Sequence, residues 1–271
     1  MTLEGKVATA LRTDKGRVRD HNEDSVRENP EIGLIVLADG MGGHNAGEVA
    51  SALAVHTILD SVAAGWSLRK EMKFGSDGPE GTLLRRSVEI AHETIRDQAE
   101  SQPQYQGMGT TVVACLLHED RIIVAHVGDS RLYRLRKEKL EQITQDHSLV
   151  EDLIAKGFYS RAEAHQNVRR NILTRALGSG DAIVVDMLIE PVEQGDIYLL
   201  CSDGLTEMVP DEQIRLTVLQ FSDSLNDAAD NLVRLANENG GKDNVSVALA
   251  RIERSFAAKG PGLVQTLKAW I

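Results

Sequence analysis

The chain has 271 residues, of which 42% are hydrophobic and 26% are charged, and this is the composition of an ordinary soluble globular protein. The formal net charge of −11 argues against a protein that binds nucleic acid through its electrostatic field. No run approaches the ~18 uninterrupted apolar residues of a membrane span, and the N-terminus lacks a signal-peptide pattern, so we expect a cytoplasmic protein with no membrane association.

The first third of the chain contains two predicted strands and two predicted helices. Residues 6–12 and 33–39 have strand character and are separated by a polar segment. Residues 46–64 are predicted to form a helix with apolar side chains around most of its circumference. A loop follows over 66–82, and the second helix is expected over about 83–101.

From residue 110 onward the hydrophobic period becomes that of strands. Three strands with short turns, over 110–117, 121–128 and 130–136, predict an antiparallel meander. The later elements are predicted to be a short helix after Asp146, strands over 182–190 and 196–203, helices over 211–219 and 224–239, and a last strand over 244–252. This order predicts one α+β domain in which helices cover the outer faces of two antiparallel sheets. Cys115 and Cys201 lie inside apolar runs, so we expect buried strand residues in a reducing compartment.

Four aspartates lie where an apolar strand gives way to a turn: Asp39, Asp129, Asp203 and Asp243. Any one of them is explained by the preference of aspartate for turns. Four together favour convergence at one rim of a sheet, where uncompensated carboxylates would repel each other. Mg²⁺ and Mn²⁺ prefer oxygen ligands, and the motifs contain no sulfur or imidazole pattern that would favour zinc.

Such a cluster suggests phosphorus chemistry. Two ions about 3.5–4 Å apart would need a bridging carboxylate and would create a bridging hydroxide able to attack phosphorus. Gly40 follows Asp39 directly, and without a Cβ its peptide can turn its carbonyl toward a metal or let a phosphate approach.

Eight motifs occur in an order that resembles the metal-dependent serine/threonine protein phosphatases, the PPM or type-2C family, in its bacterial form. They are VRDHNED, VLADGMGGHNAGE, GTT, VGDSR, DHSLV, LTRALG, CSDGL and GKDNVSV, and they cover residues 5–252. The resemblance implies a four-layer α-β-β-α fold, with a central antiparallel β-sandwich flanked by helix pairs. It implies a phosphatase domain over 1–253 with a mobile flap over about 147–172, followed by a helical or partly ordered tail over 254–271.

The resemblance also assigns roles at a centre of two Mn²⁺ or Mg²⁺ ions. By position, Asp39 would bridge both ions and Gly40 would contribute its carbonyl to one of them. Asp203 and Asp243 would complete the coordination of the other ion. Asp129 would join Asp203 at a third, weaker metal position.

The remaining roles concern the substrate and the outer shell of the metals. Glu23 and Asp24 resemble outer-shell acceptors for metal-bound waters, and Arg19 takes the place of the arginine that grips the substrate phosphate. Without the resemblance to this family, Arg19 would be interpreted as a surface arginine. Arg169 and Arg170 in the flap could meet a phosphopeptide or could form a solvated basic helix face.

The general acid is open. Eukaryotic members have a histidine after the metal-binding Asp-Gly, but here the residue is Met41, which cannot donate a proton. His44 lies three residues further on and titrates in a suitable range, although it could equally cap the next helix or face solvent. A water could also protonate the leaving alkoxide.

The resemblance implies a monomeric phosphoprotein phosphatase that acts on phosphoserine and phosphothreonine by direct attack of a metal-bridging hydroxide, without a phosphoenzyme. Its partners would be phosphoproteins and a cognate bacterial Ser/Thr kinase whose action it reverses. Three alternatives were compared with this function. A dinucleotide-binding module is the least favoured, because Asn45 stands where the third glycine of its motif belongs. The other two are a pseudo-phosphatase and a hydrolase of small phosphomonoesters.

Overall fold

The computed structural model describes residues 3–43, 46–73, 75–160, 163–164 and 172–257. Within them, eleven strands and six α-helices form two antiparallel sheets covered by helices on their outer faces. The predicted α+β sandwich with flanking helix pairs is confirmed. No helix in the described part of the chain is long and apolar enough to span a bilayer.

The strands are β1 (Val7–Asp14), β2 (Asp24–Asn29), β3 (Leu34–Met41), β4 (Gly109–Thr110), β5 (Val112–His118), β6 (Arg121–Val127), β7 (Arg131–Arg136), β8 (Lys139–Gln142), β9 (Asp186–Pro191), β10 (Ile197–Cys201) and β11 (Val245–Ile252). One sheet has the order β1-β11-β10-β7-β8. The other has the order β2-β3-β5-β6-β9, and β4 extends β3 at one end.

The helices are α1 (Ala46–Gly65), α2 (Gly78–Ser101), α3 (Leu149–Ala155), α4 (Asp203–Thr206), α5 (Asp211–Gln220) and α6 (Leu225–Glu238). Local sequence explains several of their starts. Pro79 opens α2, where its missing N–H costs nothing. Ser148 caps α3 by accepting from the backbone N–H of Glu151, and Ser224 caps α6 by accepting from that of Asp227.

Alternation along the central strands places successive side chains in two different cores. In β3, Leu34 and Val36 pack against α1 and α2, whereas Ile35 and Leu37 face the second sheet. A third core lies between the other sheet and the helices α4, α5 and α6. The predicted buried cysteines are confirmed, because Cys115 lies between the sheets and Cys201 lies in this third core.

Two strands were not predicted, and the end of one predicted loop was wrong. The polar segment between the first two strands contains the edge strand β2, whose side chains are mostly only half-buried, so it lacks an alternating apolar pattern. The segment Lys139–Gln142 is a strand, β8, that pairs with β7. The loop predicted over 66–82 ends early, because α2 begins at Gly78.

The predicted meander was also wrong in one respect. β5 and β6 pair with each other, but β7 pairs with β10 and β8 in the other sheet. The chain crosses between the sheets at Gly128, whose φ of +109 is a conformation that other residues rarely adopt. Asp129 lies at this crossing, so the connection between the sheets positions a predicted site residue.

Candidate active site

One end of the sandwich carries a cavity of ≈ 790 Å³. It forms where β3 and β6 end, where β10 ends and where β11 begins, so residues remote in sequence meet there. The predicted site residues that line it are Arg19, Glu23, Asp39, Gly40, Asp129, Asp203 and Asp243. Asp24, another predicted site residue, is buried and pairs in register with Asp39 across β2 and β3.

The carboxylates of this site are strongly coupled. Burial raises the pKa of Asp39 and of Asp203 well above the ordinary range, and the charges of the neighbouring aspartates raise both pKa values further. Burial also raises the pKa of Asp24 and of Asp129 to about 6, with further contributions from nearby acidic groups. Buried carboxylates that repel each other in this way are stabilised when cations share their oxygens.

The donor set fits hard divalent cations. Among the described residues of the cavity wall, every side chain that could bind a cation as an ionised ligand is a carboxylate. One oxygen of the neighbouring Asp24, Oδ1, is buried without a hydrogen-bond partner. In the described part of the chain, no group of three or more His, Cys, Asp or Glu side chains is arranged to hold a metal ion by itself. Water would therefore complete the coordination, as Mg²⁺ and Mn²⁺ prefer.

Arg19 is held at the cavity by an ion pair. Its Nη2 lies 2.6 Å from Oδ2 of Asp243, while Oδ1 of Asp243 accepts the backbone N–H of Asn244 at 2.8 Å. The hydrogen bond to Asp243 raises the pKa of the Arg19 guanidinium, which stays charged. Half of the Arg19 side chain remains exposed, and the residue lines the cavity.

Asn244 positions the segment that carries Arg19 and Glu23, and we did not predict its role from the sequence. Its Oδ1 accepts the backbone N–H of Glu23 at 2.7 Å. Its Nδ2 donates to the carbonyls of Lys15, at 3.0 Å, and His21, at 2.8 Å. One buried amide thus fixes both ends of the 15–23 segment on the start of β11.

Gly40 is required for backbone packing. A Cβ at this position would lie 2.0 Å from the carbonyl oxygen of Gly47 in the first turn of α1. A Cβ on Gly47 would in turn lie 2.7 Å from the carboxylate of Glu23. Glu23 accepts the Gly47 backbone N–H, which lowers its pKa, but burial dominates and raises that pKa overall. The two glycines therefore let β3, α1 and Glu23 meet closely.

The main chain of Asp39 is fixed by two threonines. The Asp39 N–H donates to Oγ1 of Thr111 at 3.0 Å, and its carbonyl accepts from the N–H of Thr111 at 2.9 Å and from Oγ1 of Thr110 at 2.8 Å. Thr111 Oγ1 also contacts the hydroxyl of Ser130 at 2.7 Å, next to Asp129. These contacts link the two predicted ligands through neutral hydroxyl groups.

A histidine connects the far wall of the cavity to the crossing at Gly128. His147 Nδ1 accepts the Gly128 N–H at 3.1 Å, so the proton of the neutral ring lies on Nε2 and is donated to Asp186 Oδ2, also at 3.1 Å. Arg175 on the cavity wall donates to Asp186 Oδ1 at 2.7 Å. The motifs DHSLV and LTRALG contain His147 and Arg175, but their spacing alone gave no reason to connect them.

Asp129 and Asp203 also line a second, smaller cavity of ≈ 300 Å³ beside the first. Its wall contains four further acidic side chains, Asp146, Glu151, Glu207 and Asp211, and one basic side chain, Arg131, which pairs with Asp146 at 2.7 Å. The two aspartates predicted for a third metal position thus lie between two acidic cavities.

Two groups of predicted residues lie outside the described part of the chain. They are His44, the candidate general acid, and the flap arginines Arg169 and Arg170. Met41, which follows Gly40, lines the cavity.

Comparisons of the sequence and of the structure with known proteins find phosphatases. The model of the family described as Protein phosphatase 2C matches residues 15–250. The serine/threonine phosphatase Stp of Listeria welshimeri is 41% identical over 253 residues, covering 92% of this chain and 97% of that protein. The crystal structure of the Mycobacterium tuberculosis serine/threonine phosphatase PstP superposes with a TM-score of 0.80 at 38% identity, covering 92% of this chain and 100% of that one. The catalytic domain of PstP with two manganese ions gives a TM-score of 0.77 at 38% identity, covering 92% and 99%.

Fold, cavity and relatives define a phosphoric monoester hydrolase. The chain belongs to the protein phosphatase 2C family and is a bacterial serine/threonine phosphatase of the PPM type.

Proposed function

We propose that this phosphatase depends on two divalent cations and removes phosphate from phosphoserine and phosphothreonine proteins in one step, without a phosphoenzyme. The observation that carries the proposal is the cavity that unites Arg19 with Asp39, Asp203 and Asp243. When bound, two Mn²⁺ or Mg²⁺ ions would polarise the phosphoryl oxygens and lower the pKa of an attacking water.

Each residue of the cavity has a proposed role. Asp39 would serve both ions, Gly40 would offer its carbonyl to one, and Asp203 and Asp243 would hold the other. Glu23 and Asp24 would accept hydrogen bonds from bound waters, and the unpartnered oxygen of Asp24 supports this role. Asp129, with Asp203, would serve a third and weaker position, which their place between two acidic cavities supports.

Arg19 would bind the substrate phosphate. Its planar donor fork suits phosphate oxygens, and its pairing with Asp243 keeps it aimed at the cavity before substrate arrives. The leaving alkoxide would take its proton from water or from His44. A pH–rate profile of His44→Gln separates these two donors, since loss of the basic limb alone in the variant assigns the proton to His44.

The biological setting is part of the proposal. The enzyme would act as a cytoplasmic monomer and would reverse a cognate Ser/Thr kinase. The names of the Stp, PstP and PhpP relatives, all phosphatases of bacteria, support the phosphatase activity that this setting requires.

The test is hydrolysis of p-nitrophenyl phosphate and of a phosphothreonine peptide with Mn²⁺, with Mg²⁺ and with chelator. We expect cation-dependent turnover that Asp203→Asn abolishes and that Asp223→Asn, an exposed carboxylate outside the cavity, retains. Attack of water on phosphorus predicts that one ¹⁸O from solvent enters phosphate per turnover, and the absence of a phosphoenzyme predicts that added glycerol captures none of the phosphoryl group. Turnover that persists in chelator, or transfer to glycerol, would overturn the mechanism.

A further inference from the structure

One part of the cavity wall is apolar and partly open to solvent. Ile172, Ile183 and Val184 line it, and we call these three residues the apolar wall. Val184 is 66% exposed and Ile172 is 42% exposed. Single exposed apolar residues are common on protein surfaces, but a group inside a catalytic cavity indicates contact with a ligand.

The apolar wall is rigidly held. The carbonyl of Ile172 accepts the N–H of Leu149 at 2.9 Å, and Leu177 exchanges backbone hydrogen bonds with Thr110. Ile183 packs against the core between the sheet and α1 and α2, and Val185 is buried beside it. Val184, between these two anchored residues, is therefore presented outward by a fixed backbone.

Charge on this side of the cavity is low. Arg175 is the one ionisable side chain among the described cavity residues from 172 to 184, and Asp186 neutralises it through the 2.7 Å contact. The carboxylate side carries Glu23, Asp39, Asp129, Asp203 and Asp243. Among the described residues of the cavity, a ligand that reaches from the phosphate position to the apolar wall thus meets no free cation beside that wall that would favour an acidic side chain.

We propose that the apolar wall binds an apolar side chain that flanks the phosphorylated residue of the substrate protein. The inference rests on the proposed function and adds a substrate class to it. A cavity of this volume is roughly 10 Å across, which an extended peptide spans in about three residues. The enzyme therefore selects phosphoserine and phosphothreonine segments with a Leu, Ile, Val, Met or Phe within three residues, and it discriminates against Asp or Glu at that position.

The test uses phosphothreonine peptides in which Leu, Gly or Glu is placed at each position from three residues before to three residues after the phosphoresidue. Capped phosphothreonine, N-acetylated and amidated, is the reference for the chemistry alone. We expect Leu at one position to raise kcat/KM about tenfold over Gly, the effect of burying one apolar side chain. Glu at that position should lower kcat/KM below the value for the Gly peptide.

Two variants assign this preference to the apolar wall. Val184→Ser should reduce the Leu-over-Gly ratio to about one, and Val184→Lys should invert the preference so that the Glu peptide is the better substrate. The matched control is Leu216→Ser on α5, an exposed apolar residue outside the cavity, which should keep the wild-type ratio.

Three results would overturn the inference. The first is that the wild-type enzyme hydrolyses all peptides equally. The second is that Val184→Ser keeps the preference for the Leu peptide. The third is that Val184→Ser lowers kcat/KM for capped phosphothreonine as severely as for the Leu peptide. Absence of turnover on every substrate, including capped phosphothreonine, with either cation would instead remove the proposed function, and the inference would fall with it.

Discussion

Arg19 and Asp243 meet across 224 residues of sequence, with 2.6 Å between Nη2 and Oδ2. The pair joins the proposed phosphate-binding arginine to a proposed metal ligand, so one carboxylate serves both functions. An incoming phosphate would compete with Asp243 for the guanidinium, and a cation on Asp243 would weaken the pair in the same direction. Binding of cation and phosphate should therefore be coupled through this contact.

Replacement of Arg19 should affect substrate binding more than turnover. A charge-assisted hydrogen bond contributes about 1.5–3 kcal/mol, so we expect Arg19→Ala to raise KM for a phosphothreonine peptide by roughly 10- to 100-fold. The fall in kcat should be smaller. Steady-state kinetics at saturating Mn²⁺ measure both quantities.

The control for this change is a second arginine–aspartate pair. Arg12 Nε lies 2.5 Å from Asp230 Oδ1 outside the cavity, and Arg12→Ala should leave KM within about twofold of wild type. A large loss of kcat at unchanged KM in Arg19→Ala would remove Arg19 from substrate binding.

Asp203→Asn should inactivate the enzyme and stabilise the metal-free protein. Burial and neighbouring aspartates raise the pKa of Asp203, so ionisation of this carboxyl costs stability as the pH rises above its ordinary pKa of 3.8. The amide removes that cost at pH 7.5, and we expect the Tm in chelator to rise by a few degrees. Mn²⁺ should raise the Tm of wild type but not that of the variant.

Thermal unfolding with chelator and with Mn²⁺ gives both comparisons, and Asp223→Asn controls for the loss of one negative charge. A lower Tm for metal-free Asp203→Asn would contradict the electrostatic account of the cavity.

Asn244→Ala should have two effects, which are a less stable fold and a displaced Arg19. The side chain satisfies the N–H of Glu23 and the carbonyls of Lys15 and His21, and each group left unpaired costs about 1–3 kcal/mol. We expect a lower free energy of unfolding in urea and a KM raised toward that of Arg19→Ala. Asn226→Ala, at an exposed site on α6, is the control. Normal KM in a destabilised Asn244→Ala would limit this residue to a structural role.

The sequence predicted the core elements because their patterns are strong, and it missed elements whose pattern is weak. β8 follows Lys137 and Glu138, which both have positive φ in a tight turn although neither is a usual residue there. Residues 182–185 were predicted as strand from their β-branched side chains, but β9 begins only at Asp186, and Val184 faces the cavity instead.

The sequence pointed to candidate site residues where a motif contains charged side chains. It did not point to neutral residues whose role depends on contacts with distant parts of the chain. The four strand-end aspartates line one cavity, but they come from both sheets, so they meet at one end of the sandwich and not at the rim of a single sheet. Asn244 follows Asp243 directly in the sequence, yet its contacts to the 15–23 segment depend on long-range packing. The crossing of the chain between sheets at Gly128 likewise depends on which strands pair, which local pattern does not encode.

His126 should make the protein sensitive to acid. This residue on β6 is buried, with Nε2 2.9 Å from the carbonyl oxygen of Ser130 and its ring 4.7 Å from that of His147. Burial, followed by the charge of His147, lowers the pKa of His126 to about 3 from its ordinary 6.5. Between these two values the unfolded chain binds a proton that the folded chain does not, so stability falls as the pH falls below about 6.5.

His126→Gln keeps an amide donor for Ser130 but cannot titrate, so its stability should depend less on pH. From pH 6.5 to 5.0 the wild type should lose about 2 kcal/mol more than the variant, since one pKa unit corresponds to about 1.4 kcal/mol. Urea unfolding in chelator at several pH values measures this difference, because the aspartates of the cavity titrate alike in both proteins. The exposed His56→Gln on α1 is the control for loss of an imidazole. Equal slopes in wild type and His126→Gln would show that the folded protein accommodates the protonated ring, which its burial between the sheets argues against.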